Sequence, residues 1–484
     1  SSDFMTGAFP ADYGNKIAAA FDLKLRSGNN QQHEWIGQFG INGIELAGEG
    51  PFTSNHNSSY LFSYRYSTFK LFDALGINFG VSGIPTYQDL CFKLNFPLNS
   101  KNAISFFGIG GMSDMAILDS QKDSADWALT SSGEDVHYQS GMSVIGMHQL
   151  HFFSNNTFGK LTIAFSAEHL GVQLDTLITQ QIKNRVFTNN SLEKTSQIDY
   201  KFTHKISSKN LIKAGINFRV MDVHYEESFF AHEYDTTIWL IHDSGSRSLL
   251  QSYVGWQHRF NSQLTLNMGL HYQIFLLNKS QNIEPRLGFT YQLRENQVLS
   301  FGFGMHSQMQ PLIVYYMKDY NDTTNVYTET NHNLGFTKAV HFVAGWQWVF
   351  KNDFHLKTEI YYQHLYSVPV EGNHPSAYSM LNLGGDYSFP KRDSLVNLGT
   401  GNNYGVELTF EKYFSHHYYF LATGSLFQST YKGSDEVKHK TKFDNVFVAN
   451  FLCGYEFNFG SQNKNSFSID VRTTRAGGLR YTPI

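Results

Sequence analysis

The sequence predicts an all-β chain, a transmembrane antiparallel up-and-down β-barrel, and three observations predict it. The first is a period of two sustained over long runs. In PRLGFTYQLRENQVLSFGFGMHSQMQ (285–310), Leu287, Phe289, Tyr291 and Leu293 fall on one side, and Gly288, Thr290, Gln292 and Arg294 on the other. Beyond Glu295-Asn296-Gln297, Leu299, Phe301, Phe303 and Met305 oppose Ser300, Gly302, Gly304 and His306. One apolar row and one polar or small row is what a sheet between hydrocarbon and water requires. The second is composition: 16% aromatic, with 42 Phe, 28 Tyr and 40 Gly but only 10 Pro. That suits strands and small inward positions rather than helices. The third is the alternation of short turns with long connections, as on the two sides of a membrane barrel.

The totals set bounds. At 484 residues the chain holds either two or three ordinary domains or one very large barrel. A net charge of −4 indicates no polyanion partner, so no nucleic acid. Mean hydropathy of −0.33 is compatible with a barrel, because only alternate strand residues meet lipid. No run of about 18 apolar residues is present, so no transmembrane helix is expected. The start, SSDFMTGAFP, has no signal-peptide pattern and reads like the middle of a longer chain. Cys91 and Cys453 each sit in an apolar strand-like run and read as chance thiols rather than a disulfide or metal pair.

In chain order, residues 1–28 are rich in Ala and Gly and hold one short strand, AAFDLKLRSG. From His33 the strands arrive regularly: EWIGQFG, IELAGEGPF, SSYLFSYRYST, TYQDLCFKLNF and AISFFGIGGMS. A polar segment from Asp114 to about Glu134 precedes VHYQSGMSVIGMHQLHFF and TFGKLTIAFSAEHL; residues 173–194 then break the pattern. QIDYKFTHKIS turns at Ser208-Lys209-Asn210 into a strand where Ile212, Ala214, Ile216, Phe218 and Val220 oppose Lys213, Gly215, Asn217 and Arg219. An excursion over 228–247 leads to QSYVGWQHRF and LTLNMGLHYQIFL, and then to the 285–310 hairpin. Loops over 311–333 and 369–400 flank HFVAGWQWVF and FHLKTEIYYQHLY. YGVELTFEKYF, YYFLATGSLFQSTY, VFVANFLCGYEFNFG and SFSIDVRTTRAGGLRYTPI close the series. About 19 strands are expected.

Two groups of motifs carry a family resemblance. GAFPADYGN followed by FDLKLRSGN resembles the end of the plug domain of TonB-dependent outer-membrane receptors, in particular the Bacteroidota type with an upstream carboxypeptidase-regulatory-like module. EPRLGFTYQL, LSFGFGMHSQMQPL, NNYGVELTFEKYF, YYFLATGSLFQSTYKGSD and TRAGGLRYTPI resemble that family's barrel motifs in the family's order. The resemblance implies that residues 1–28 end a plug and residues 29–484 form a barrel that has 22 strands in the full protein and lacks its last three here. It implies a Gram-negative outer membrane and its lipids, the TonB–ExbB–ExbD complex reached through a region upstream, a surface lipoprotein partner, and a scarce extracellular ligand. A siderophore, glycan, peptide or cofactor-like molecule all fit that description.

Little else carries chemistry. There is no G-x-S-x-G, H-E-x-x-H or C-x-x-C, and Gly108-Ile109-Gly110-Gly111 lies mid-strand with no helix to follow. No catalytic residue and no cofactor is expected. The richest acid-and-imidazole cluster spans 224–243; His224, His232, Glu233 and His242 are its metal-ligand candidates, and a solvated loop is the plainer reading. Trp256, Trp346, Trp348, Tyr361 and Tyr362 read as interfacial girdles. Arg219, Arg259, Arg294, Glu359, Glu407 and Arg472 are the lumen-facing candidates, lining a substrate route or holding a plug.

Three function classes follow. An energised receptor fits best, because a very wide barrel must be a channel or hold a plug. The others are a passive porin or adhesin, and a soluble lectin-like sandwich. Strands of 10 residues or more argue against the sandwich, since soluble strands are usually about 5–6 residues.

Overall fold

Long alternating runs become strands, and helix is confined, among the described residues, to α1 (Leu312–Tyr315) and two short 3-10 turns. The computed structural model describes residues 2–40, 43–53, 56–68, 83, 85–121, 133–178, 182–231, 235–321, 326–351, 353–383, 394–461, 464–478 and 480. β1 (Ser2–Thr6) and β2 (Ala19–Leu23) pair as a small separate sheet. Next come β3 (Glu34–Phe39), β4 (Ile44–Thr53), β5 (His56–Tyr66), β6 (Thr86–Asn99), β7 (Asn102–Leu118), β8 (Glu134–Ser154) and β9 (Thr157–Leu177). β10 (Lys183–Lys205), β11 (Asn210–Ala231), β12 (Thr236–Arg259), β13 (Leu264–Phe275), β14 (Ser280–Arg294) and β15 (Gln297–Gln308) continue the series. β16 (Lys318–Asn321) and β17 (Val326–Glu329) form another small hairpin. The last are β18 (Thr337–Phe350), β19 (Phe354–Glu371), β20 (Leu395–Ser415), β21 (Tyr418–Lys432), β22 (Lys438–Lys440), β23 (Phe447–Phe459) and β24 (Asn465–Ala476).

Twenty of these strands follow a barrel order, each antiparallel to its sequence neighbour where the register is defined. β22 and β23 both pair with β21, at opposite ends of it. Among the described residues the barrel order thus holds twenty strands, with the three-residue β22 sharing its place beside β21 with β23, against the about 19 expected from the sequence.

The chain forms two compact units. One comprises Leu23–Thr203 with Gly215–Leu250, together with the first two residues. Here the strands outrun the sequence expectation. Residues 173–194, expected as a polar break, are mostly strand: β9 runs to Leu177 and β10 starts at Lys183. The 224–243 excursion is likewise the far end of the β11 and β12 strands. Beyond the apolar belt a strand has water on both faces, so it needs no oily row. Its backbone groups are still satisfied by the neighbouring strand.

The other unit comprises Asp3–Asp22, His204–Ala214 and Gln251–Ile484. In β14 and β15 the register sets Phe289 opposite Phe301 and Arg286 opposite Gly304. The Phe289 and Phe301 rings stack at 5.4 Å on the outer, apolar face. Phe301, Phe303 and Trp346 are none of them buried, and in the first unit Phe218 is exposed. The two expected loops are partly structured: 311–333 holds α1 and the β16–β17 hairpin, while 369–400 is shortened by β19 and β20. Ser415-His416-His417-Tyr418 is a tight turn with φ of 54° and 69° at the two histidines, the backbone that two-residue hairpins require.

Candidate functional site: a wall that grips residues 8–17

The polar face of β13–β19 is covered by the segment that follows β1. Two pairs of small residues let it lie close. A Cβ on Gly269 would stand 2.6 Å from the Ala11 methyl, and one on Gly302 would stand 3.0 Å from the Ala8 methyl. Gly14 approaches nearer still: a Cβ there would meet His271 Nε2 at 2.1 Å and Gln251 Nε2 at 2.3 Å. Small residues on the wet face, expected from the composition, thus have a specific use here. They admit a second backbone.

Polar side chains of the wall then take up carbonyls of that backbone. Arg286 Nη1 donates to Phe9 O at 3.3 Å, to Tyr13 O at 2.7 Å and also to Pro10 O. Its other nitrogen, Nη2, donates to Glu284 Oε2 at 2.7 Å. His271 Nδ1 donates to Ala11 O at 2.8 Å while its Nε2 accepts from Gln251 at 3.3 Å, an arrangement that selects the neutral Nδ1–H tautomer. Gln363 Nε2 donates to Ile17 O at 2.7 Å. Going the other way, Met309 N donates to Asn15 Oδ1 at 2.8 Å.

Behind these contacts lies a buried network. Glu284 is fully buried and accepts from Arg286, Gln273 and Ser307. Gln363 Oε1 accepts from Asn403, whose Oδ1 accepts from Ser429 at 2.7 Å. The Phe9 ring packs on His306 at 4.1 Å and under the Arg286 guanidinium at 4.9 Å. Both His306 nitrogens are buried without a partner among the described residues. Within the segment, Tyr13 OH donates to Asp22 Oδ2 at 2.9 Å, and burial together with that carboxylate raises the phenol pKa above its usual range. Such a network can hold a chain segment tightly without covalent chemistry.

Two recesses border the contact. One of about 360 Å³ lies between Ala8–Asp12 and a wall that includes Lys213, Tyr253 and Asn267. The second, of about 170 Å³, lies between Thr6, Gly7 and Ala18 and a wall that includes Glu359 and Glu407.

The lumen-facing candidates from the sequence are dispersed. Glu359 and Glu407 stand directly opposite each other on neighbouring strands, with Lys357 Nζ 2.6 Å from Glu359. Arg259 and Arg294 are exposed at strand ends, and Arg472 is exposed opposite Leu452. In the first unit, Arg219 donates to Asn217 Oδ1 at 3.0 Å, and Asn217 reaches Asp199 at 3.4 Å. Among the metal candidates, His224 and His242 lie 3.5 Å and 4.0 Å from Glu226, and His224 Nδ1 is 2.6 Å from Ser244 Oγ. His232 and Glu233 fall outside the described residues. Among those described, no group of three or more potential ligands could hold a metal ion. Tyr361, expected in a girdle, lies instead on the polar face beside Glu359 and Gln363 and lines the smaller recess. Odd positions of β19 point that way, and Tyr361 shares their parity.

The residues that do the gripping, Arg286, Glu284, His271 and Gln363, were not singled out in advance. One signal was present: Glu284 and Arg286, two apart in a strand, share a face as an ion pair would.

No protein-family model matches the sequence, and no curated protein matches it either. Solved structures do. The ferripyoverdine receptor of the outer membrane of Pseudomonas aeruginosa, bound to ferripyoverdine, superposes with a TM-score of 0.69 at 12% identity, over 97% of this chain and 65% of that one. The ferric yersiniabactin uptake receptor FyuA from Yersinia pestis gives 0.69 at 10% identity, over 98% and 73%. The FrpB iron transporter from Neisseria meningitidis gives 0.65 at 13%, over 97% and 75%. The fold is that of the TonB-dependent outer-membrane receptors. The chain spans 65–66% of three of the pyoverdine-receptor chains that share this fold and 71% of a fourth.

Proposed function

We propose that this chain belongs to an energised outer-membrane receptor that imports a scarce, large extracellular ligand. Residues 1–28 are read as the end of its plug and residues 29–484 as most of a barrel that reaches about 22 strands in the whole protein. The observation that carries the reading is the grip of Arg286, His271 and Gln363 on the carbonyls of residues 9–17. A passive pore has no need of a backbone bound across its wet face. A receptor does, because an outer membrane has no nucleotide supply of its own, and opening the barrel then requires work applied to the plug.

The energy source in this reading is the TonB–ExbB–ExbD complex, engaged through a region upstream, and a surface lipoprotein is a further partner. The finer assignment is the Bacteroidota type with its upstream carboxypeptidase-regulatory-like module. A ferric siderophore is the ligand class to test first, since the structural neighbours named above take up iron. Glycan, peptide and cofactor ligands are the alternatives. The test is growth of an iron-starved host expressing the full protein on a panel of ferric siderophores, with and without a working TonB. Growth that needs both supports the reading. Equal growth without TonB favours a porin.

A further inference from the structure

His306 stands on the wet face of β15, in register with Ala339 of β18. It is fully buried, yet neither ring nitrogen has a hydrogen-bond partner among the described residues. Its surroundings explain why. The Phe9 ring packs on it at 4.1 Å and the His341 ring lies 4.6 Å away. A Cβ on Gly304 would run into its Nε2. Ala339 belongs to a small apolar cluster with Leu365 and Val368, against which Ile17 of the covering segment packs. A neutral imidazole carries one N–H and one acceptor nitrogen, and both go unmet here. The two other histidines beneath the segment are bonded: His271 to Ala11 and Gln251, and His341 to Gln363.

A buried polar group left unpaired costs far more than an apolar group of the same shape. An aliphatic side chain at 306 would hold Phe9 better, so histidine weakens the wall's grip. The weakness exists only under cover, because release returns the ring to water. The charged and titratable groups that bear on it are His271 on β13, Arg286 on β14 with its partner Glu284, and His341 on β18; on the segment, Asp12 bears on Arg286. A proton taken up under cover would be a buried charge beside Arg286, with Glu284 already committed. A proton taken up after release would be solvated. Release is therefore favoured as pH falls below the ordinary imidazole value of about 6.5, and the cover is held best above it.

We propose that His306 is a release element built into the grip. The covered ring lacks hydrogen bonds that it regains when residues 8–17 leave the wall, so it lowers the work of release and couples release to the uptake of one proton. The inference deepens the receptor reading above and rests on it, because only a segment that leaves has a use for such a weakness.

The test is hydrogen exchange of residues 8–17 in the full protein, from pH 8 to pH 5 and corrected for the intrinsic pH dependence of amide exchange. Wild type is compared with His306→Leu and His306→Met, the second because an unbranched chain adapts to an irregular gap. At pH 8 either variant should protect the segment roughly 5- to 150-fold better than wild type, the equivalent of one buried group no longer left unpaired. Between pH 8 and pH 5 the wild type should lose about 30-fold more protection than the variants, one proton's share for an ordinary imidazole. His271 and His341 are present in all three proteins, so their titration cancels. Protection in both variants no higher than wild type at pH 8 would overturn the proposal, and so would a wild-type pH dependence no steeper than theirs. Heat-modifiable gel migration checks that each variant is folded. Growth with and without TonB judges the receptor reading separately. If growth is independent of TonB while the exchange differences stand, that reading falls and the weakness at His306 remains.

Discussion

Arg286 and Glu284 project from the same face of one strand, 2.7 Å apart, and the arginine's other nitrogen is spent on the backbone of residues 9–13. Both side chains are almost fully buried. An ion pair in that setting stabilises little by itself, but breaking it leaves a charge without water or partner. The glutamate therefore commits the arginine to its position, and the arginine commits the segment.

Arg286→Ala is expected to destabilise the covered state by about 3–5 kcal/mol, because Glu284 loses its cation. The segment should loosen first, since it loses three carbonyl contacts at once. Hydrogen exchange and protease cleavage within residues 8–17 would report this, with the barrel strands still protected. Arg286→Lys should rescue only part of the effect, because an ammonium lacks the planar fork that serves Glu284 and the segment together. Unaltered exchange in Arg286→Ala would remove the arginine from the grip.

A cross-link tests whether the segment must move. Gly302 and Ala8 approach to 3.0 Å for an idealised Cβ pair, so an outward shift of roughly half an ångström would bring them to the Cβ separation a disulfide spans. The Ala8→Cys/Gly302→Cys pair should form a bond under oxidation and abolish energised uptake while leaving ligand binding intact. Reduction should restore uptake. Full uptake in the oxidised form would mean that the segment stays in place during transport.

Gly14 offers a backbone test. A Cβ there falls within 2.3 Å of both His271 and Gln251 side-chain nitrogens, which are buried and bonded to each other. Gly14→Val should push the segment off the wall and cost about 1–3 kcal/mol, the range for overpacking a well-filled site. Differential exchange at residues 11–15 would read it. A variant that is as well protected as wild type would show that the site can absorb a side chain.

The barrel was legible in the sequence because two solvents impose it. Leu287, Phe289 and Tyr291 could be assigned to one side of β14 from parity alone. Where both faces are wet the signal vanishes, and the outer ends of the β9–β12 strands were therefore read as loops. Grouping Tyr361 with its neighbour Tyr362 in one girdle goes against parity, since adjacent strand residues cannot share a face. The grip was not legible. Alternation says which residues face inward, but Arg219, Arg294 and Arg286 carry the same sign of inwardness in the sequence. Only three-dimensional contact tells which of them meets another backbone, and the one candidate pair that parity brought together, Glu359 and Glu407, lies beside the segment rather than on it.

Phe289 and Thr290 separate the two solvents by one residue. Phe289 lies near the middle of the apolar row from Ile283 to Leu293 and is exposed on the outer face, while Thr290 faces the opposite way with Arg286. Phe289→Arg should lower the folding stability of the protein in lipid by about 2–4 kcal/mol, as a cation near the bilayer midplane does. Thr290→Arg should change it little, because its charge enters water. Denaturant titrations in vesicles, followed by heat-modifiable migration, measure both. If the two variants were equally destabilised, or if Phe289→Arg were the milder, hydrocarbon could not be the medium on the outer face, and the receptor reading would fall with it.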